Sequence, residues 1–133
     1  MINSSSLLRG ALIADGITSG AMALLLAIAA APLATRLMLP EGFLRETGLL
    51  LVPYALFAGY LGSRARLPVA VAWLVVAGNT VWTLGSFALL LGNWLSPNAF
   101  GEMFIAAQAI AVGVLAELQY IGTRRSGAPV AAA

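Results

Sequence analysis

Few polar side chains in this sequence fall inside long apolar stretches. Among them, Asp15 is the one whose burial would cost the most free energy. It lies about eight residues into a stretch that begins near Leu7, which is about 12 Å along a helix. An ionised carboxylate in a hydrocarbon layer costs on the order of 3 kcal/mol, so it requires a partner, a proton or a water-filled pocket. Ser19, one helical turn further on, is a local hydrogen-bond donor. Such an acid favours a proton- or cation-binding site inside a bundle.

Further polar side chains occur in two later apolar stretches. Asn79 and Thr83 share one helical face near the middle of the third stretch, with Trp82 beside them, and Gln108 lies in the fourth. Asn and Gln commonly form hydrogen bonds between membrane helices, so a purely structural role is one interpretation of Asn79 and Gln108. Trp82 is interpreted either as core filling or as the wall of a pocket for a flat or cationic ligand.

Glu117 is the second acid in an apolar stretch. It is nine residues from Gln108, which is about half a turn around a helix, so the two cannot face one narrow cavity. One interpretation pairs Glu117 with Arg124 or another nearby arginine. The other brings Glu117 beside Asp15, where two carboxyls would share a proton or bind a cation and would titrate as a pair.

The elements that must position these side chains follow from composition. Hydrophobic residues make up 61% and charged residues 9% of the 133 residues, against about 25% charged in a soluble domain. Four apolar stretches approach the ~20 residues that cross a bilayer. The sequence therefore predicts an all-α integral membrane four-helix bundle forming one domain over 1–133, with spans at about 7–31, 43–62, 69–91 and 101–121 and a flexible tail over 122–133.

The arginines predict the orientation of these spans. Five of the seven arginines lie on one side of the predicted spans, because they precede span 1, link spans 2 and 3, or follow span 4. The other two lie on the opposite side. The positive-inside rule then predicts a multi-pass protein of the cell inner membrane, with both termini cytoplasmic. No aromatic or groove-reading motif accompanies the arginines, so we expect no nucleic-acid partner.

Three pairs of short segments suggest an internal repeat. "GAMALLLA" at 20–27 resembles "GSFALLLG" at 85–92, "PEGF" at 40–43 resembles "PNAF" at 97–100, and "YLGSRAR" at 60–66 resembles "YIGTRR" at 120–125. They occur in the same order at similar offsets. We therefore expect two tandem transmembrane hairpins, related by an axis along the membrane normal.

Small residues mark the expected packing surfaces. Gly16 and Gly20 are four apart in span 1, as are Ala55 and Gly59 in span 2, and glycines recur every seven residues in span 3 at positions 78, 85 and 92. Small residues at such spacings let membrane helices approach closely. They predict packing within the bundle or, alternatively, a homo-oligomer interface.

Missing residue types restrict the chemistry. The sequence has no Cys and no His, which excludes thiolate and imidazole nucleophiles, bases and metal ligands. It also has no Lys, which excludes a Schiff base. We therefore expect no cofactor and no metal site. No nucleophile–base spacing is visible either, so we expect no enzymatic activity.

Two resemblances accompany these patterns. The segment "AELQYIGTRR" at 116–125 and most of the chain resemble small bacterial four-helix integral membrane proteins, a family that implies no activity. The size, the four spans and Asp15 also resemble the small multidrug resistance transporters, which implies proton exchange at an acid in the first helix. That family uses Glu rather than Asp, and it lacks the strong arginine bias found here.

The sequence favours two alternative functions. The first is a small non-catalytic membrane protein, either an accessory subunit or a lipid-interacting scaffold. The alternative is a proton- or cation-coupled transporter of a small molecule that uses Asp15. The expected partners are membrane lipids, together with further copies of the chain or a larger membrane complex.

Overall fold

The computed structural model describes residues 1–127, which form five helices and one short pair of strands. The elements in chain order are β1 (Ile2–Asn3), α1 (Ser6–Ile28), α2 (Ala30–Leu37), α3 (Glu41–Ser63), β2 (Arg66–Leu67), α4 (Val69–Leu91) and α5 (Ala99–Arg125). Three of these helices, α1, α4 and α5, are long and apolar enough to cross a membrane. α3 is as long as α1 and α4, but it begins with charged residues, among them Glu41 and Arg45.

The predicted first span of 7–31 is in fact two helices. α1 ends at Ile28, Ala29 leaves helical geometry, and α2 continues to Leu37. Pro32 accounts for the break, because its ring would clash with the carbonyl of residue 28 in a continuous helix. In the shorter α2 the proline lies in the first turn, where it is tolerated. The segment between the first two predicted spans, expected to be an outer loop, is therefore largely helical. α2 is followed by Met38, whose backbone has a left-handed conformation.

Close backbone contact joins α1 to α3. A Cβ placed on Gly16 would lie 2.9 Å from the backbone nitrogen of Gly59, and one on Gly48 would lie 2.8 Å from the nitrogen of Ala27. Such approach is possible only without side chains at these positions. The small residues of α1 and α3 therefore pack against each other inside the bundle, as one of the two interpretations predicted.

The other long helices complete the bundle. α5 packs along α4 and also touches α1, where a Cβ on Gly122 would lie 2.7 Å from the backbone nitrogen of Leu8. The α4 glycines behave differently from those of α1. Added Cβ atoms at Gly78 and Gly85 would meet nothing within 4 Å, so these residues face away from the described part of the bundle.

Apolar side chains form two separate core clusters along the bundle. The first cluster combines residues from α1, α2, α3, α5 and the link between α2 and α3: Ala23, Leu26, Ala30, Leu37, Leu39, Leu44, Leu51 and Ile105. The second lies towards the other end: Leu8, Leu12, Leu61, Leu67, Ala72 and Val75. Along α1, Asp15 falls between Leu12 of one cluster and Ala23 of the other. A polar layer therefore separates the two apolar cores.

A small backbone structure, the terminal clip, closes one end of the bundle. β1 pairs with β2 in antiparallel register, and Asn3 donates its backbone N–H to the carbonyl of Gly127 at 2.7 Å. Ser5 caps α1 and also donates its hydroxyl to the carbonyl of Gly122 at 2.8 Å. The start of the chain, the α3–α4 connection and the end of α5 therefore meet at one end.

The same contacts lengthen the last helix relative to the sequence prediction. The flexible tail was expected over 122–133, but α5 continues to Arg125 because Gly122 and Thr123 are buried against the start of α1. The remainder of that predicted tail, residues 128–133, lies outside the described residues.

Candidate functional site: the buried Asp15 network

Asp15 accepts hydrogen bonds from side chains on all four long helices. Ser19 of α1 donates to Oδ1 at 3.0 Å, and Tyr54 of α3 donates to Oδ2 at 2.5 Å. Asn79 of α4 and Gln119 of α5 each donate an amide N–H to the same Oδ2 at 2.8 Å. The carboxyl of Asp15 is therefore the point at which the four helices are joined by polar contacts.

The donors also contact one another. Asn79 donates its other amide hydrogen to Oε1 of Gln119 at 2.7 Å, and the Tyr54 hydroxyl lies 3.1 Å from Oδ1 of Asn79. Asp15 is 1% and Gln119 0% exposed, so water does not reach the centre of this network. We call these five residues the Asp15 network.

The four long helices place the network residues at a similar distance from the end of the bundle that the terminal clip closes. Counted from the helix ends near the terminal clip, Asp15, Tyr54 and Asn79 lie about nine or ten residues in, and Gln119 lies about six. The long Gln side chain covers the remaining distance. Close α1–α3 contact at Gly16, the residue after Asp15, brings the Tyr54 hydroxyl within reach of the carboxyl.

An ionised carboxylate offers about four lone-pair sites and donates nothing. Asp15 accepts four hydrogen bonds, three at Oδ2 and one at Oδ1, and every one comes from a neutral side chain. Burial of a charged group is tolerated only when its hydrogen bonds are made, because each unmade bond costs about 1–3 kcal/mol. The network can therefore hold an acid at this depth without a positively charged partner.

Two members of the network, Tyr54 and Gln119, were missed by the sequence reasoning. Neither residue is among the candidates that the sequence predicts. The signal in the sequence is depth, since Tyr54 lies as far from the arginine-rich end of its helix as Asp15 does, and Gln119 lies about three residues closer. That signal is usable only once the helices that face α1 are known.

A second polar cluster joins α4 to α5. Trp82 donates Nε1–H to Oε1 of Gln108 at 2.9 Å, and Gln108 donates to the Ser86 hydroxyl at 2.9 Å. The Trp82 ring packs against the first apolar cluster. Trp82 therefore fills the core, and its indole nitrogen is also satisfied. Thr83 donates its hydroxyl to the backbone carbonyl of Asn79 at 2.9 Å and so lies between the two polar clusters.

Loss of the indole donor should weaken the second cluster. We expect Trp82→Phe to lower the free energy of unfolding by about 1 kcal/mol, because Oε1 of Gln108 loses its donor while the aromatic packing is largely kept. Thermal unfolding in detergent, followed by circular dichroism, measures this. Trp94→Phe is the matched control, since Trp94 is 72% exposed. Equal effects of the two substitutions would contradict the assigned role of Trp82.

Glu117 takes neither of the two expected positions. It is exposed and lines a groove of about 310 Å³ between α4 and α5, together with Thr80, Thr83 and Gly113. The only ion pair among residues 1–127 joins Arg45 to Glu41, and Arg124 contacts Tyr120 instead. The reason is helical geometry: Gln119 faces Asp15, and a residue two positions earlier is rotated by about 200°.

The described residues bring together no group of three or more His, Cys, Asp or Glu that could hold a metal ion. The site and the fold define an all-helical chain with three helices suited to crossing a membrane and a buried acid at their centre. No protein-family model, curated protein or solved structure matches the chain.

Proposed function

We propose that this chain is a small non-catalytic integral membrane protein that acts as an accessory subunit or as a lipid-interacting scaffold. The observation that supports this most strongly is the Asp15 network. The one acid at the centre of the bundle accepts hydrogen bonds from Ser19, Tyr54, Asn79 and Gln119, one from each long helix. A carboxyl engaged in this way holds helices together, which is what a scaffold requires.

The proposal includes four spans arranged as two tandem hairpins. α3 has 23 residues, the same length as α1 and α4, and it carries Tyr54 at the depth of Asp15. α1 packs along α3 and α4 along α5, which is the pairing that two hairpins require. The second hairpin has no described counterpart of α2, so a duplication would have been followed by divergence of the connecting segments. The arginine bias supports cytoplasmic termini in the inner membrane.

The outer surface supports lipid or protein partners. Large apolar side chains are exposed on every long helix, and one example from each is Ile17 (68%), Leu56 (71%), Val81 (69%) and Ile110 (58%). In water such a surface would aggregate, whereas acyl chains or apolar faces of partner helices would cover it. Gly78 and Gly85 lie open on α4 and would allow another helix to approach closely.

The alternative is a transporter that couples proton or cation movement to Asp15. It is favoured by the presence of an acid at membrane depth, which by default indicates a functional site. Against it, Asp15 is buried, and two surface cavities of the described residues are lined by other acids, Glu117 in the first and Glu102 in the second.

Proton flux into sealed vesicles separates the two functions. The protein is reconstituted with a pH-sensitive dye inside, and a pH gradient or a panel of lipophilic cations is applied. The scaffold proposal expects the same flux for wild type, for Asp15→Asn and for protein-free vesicles. Flux that depends on wild-type protein and disappears in Asp15→Asn, but persists in the control Glu117→Gln, would overturn the proposal in favour of the transporter.

A further inference from the structure

The hydrogens of the Asp15 network can be counted. Tyr54 has one hydroxyl hydrogen, yet its oxygen lies 2.5 Å from Oδ2 of Asp15 and 3.1 Å from Oδ1 of Asn79. Both neighbouring atoms are acceptors when Asp15 is ionised. The single hydrogen then goes to the carboxylate, because a charge-assisted bond is roughly twice as strong as a neutral one. Oδ1 of Asn79 is left without a donor from within the network.

One additional hydrogen removes this shortage. If Oδ2 of Asp15 carries a proton, it donates to the Tyr54 oxygen, and the Tyr54 hydroxyl turns to donate to Oδ1 of Asn79. The amide groups of Asn79 and Gln119 keep their contacts in both arrangements. The same heavy-atom positions therefore accommodate the network with and without the extra proton.

The charges around the network also favour a bound proton, because no cation contacts Asp15. The side chains that face Asp15 are Ser19 from α1, Tyr54 from α3, Asn79 from α4 and Gln119 from α5, and none of them is a cation. Among the described charged groups, Arg9 donates to the carbonyl of Gly62, Arg45 pairs with Glu41, and Glu117 lies on the outer face of α5. An ionised Asp15 is thus a buried anion with no countercharge in contact, and an added proton neutralises it.

We propose that Asp15 and Tyr54 form a proton-binding site. A proton from the aqueous phase forms an O–H bond on Oδ2 of Asp15, the carboxylate becomes a neutral acid, and the Tyr54 hydroxyl turns from Asp15 to Asn79. No other bond is broken and no further reactant is needed. The ligand of this site is the proton itself, and the site is independent of whether the protein acts as a scaffold, an accessory subunit or a transporter.

The composition of the chain permits a direct test without any substitution. Asp15 is the only aspartate in the sequence, so biosynthetic labelling with carboxyl-¹³C aspartate marks this one group among the five acidic residues. Infrared difference spectra of the full chain in lipid, recorded between acidic and alkaline pH, then report its protonation alone. We expect an isotope-shifted band of a protonated carboxyl that is present at the acidic end of this range and is lost as the pH rises.

Tyr54→Phe tests the role assigned to the hydroxyl. The hydroxyl binds the anion more strongly than it binds the acid, so its removal disfavours the anion, and the protonated band should persist to a pH about one unit higher. Glu117→Gln is the matched control and should leave the band unchanged. Replacing Na⁺ by N-methylglucamine should also change nothing.

Three results would overturn the proposal. The first is a labelled carboxyl that stays ionised over the whole pH range in which the protein is folded. The second is a Tyr54→Phe protein that folds and gives the same titration as wild type. The third is a titration that moves to lower pH with Na⁺, because a metal cation would then be the ligand. If Tyr54→Phe does not fold, the labelled wild-type protein still decides between a proton site and a permanent anion.

Discussion

Asp15→Ala is expected to lower the free energy of unfolding by about 3 kcal/mol, the largest effect of any single substitution considered for this chain. The substitution removes the acceptor of four hydrogen bonds and leaves Tyr54, Asn79 and Gln119 with buried donors that face one another. Hydrogen bonds between membrane helices average about 0.6 kcal/mol each, and unsatisfied buried donors add to the loss. Equilibrium unfolding in mixed micelles, with increasing amounts of sodium dodecyl sulphate, provides the measurement.

Two further variants separate the acceptor role of Asp15 from a general effect of losing an acid. Asp15→Asn keeps the shape and one acceptor oxygen, and we expect about half of the loss. Glu117→Ala removes an exposed carboxylate from the same depth of the bundle and should change stability by less than about 0.5 kcal/mol. An Asp15→Ala protein as stable as the Glu117→Ala protein would mean that the network does not hold the helices together.

Gly16→Ala is the substitution with the second largest expected effect, a loss of about 2 kcal/mol. The added Cβ would lie 2.9 Å from the nitrogen and 3.0 Å from the Cα of Gly59, and 3.1 Å from the carbonyl oxygen of Ala55. All three are backbone atoms, so relief requires α1 and α3 to move apart, and overpacking of this kind typically costs about 1–3 kcal/mol. Separation of the two helices would also lengthen the Tyr54–Asp15 hydrogen bond.

Gly20→Ala is the matched control, one turn further along α1. Its Cβ would lie 3.7 Å from the Cβ of Ala55, an ordinary contact, and alanine favours a helix over glycine by up to about 1 kcal/mol. We therefore expect unchanged or slightly higher stability, measured by the same micelle unfolding as above. If the two alanine variants have the same stability, the backbone contact at Gly16 does not limit how closely α1 and α3 approach.

The sequence predicted the helical class and the long helices well, because hydropathy and length are properties of single segments. The third span, 69–91, coincides with α4, and the predicted fourth span lies within α5. The break between α1 and α2 was not predicted, although Pro32 was visible. In that region both halves are apolar, and hydropathy alone does not distinguish one long helix from two joined at Ala29.

The site was predictable only in part, for a physical reason. Asp15, Ser19 and Asn79 are brought together in the structure, and Trp82 and Gln108 contact each other in a neighbouring cluster. Tyr54 and Gln119 depend on which helices are neighbours and how each is rotated about its axis. Those quantities are set by the glycine contacts between helices, which a single sequence does not reveal.

The separation of the network along the chain affects how the protein is made. Gln119 follows Asp15 by 104 residues, so at about 10 residues per second the ribosome adds the last donor roughly 10 s after the acid. The terminal clip, which ends at Gly127, forms later still. During this interval the acid has its local donor Ser19, but the donors from the later helices become available only one after another. In a protein inserted into a membrane as proposed, Asp15 would have to stay near water or bind a proton until α5 has been translated.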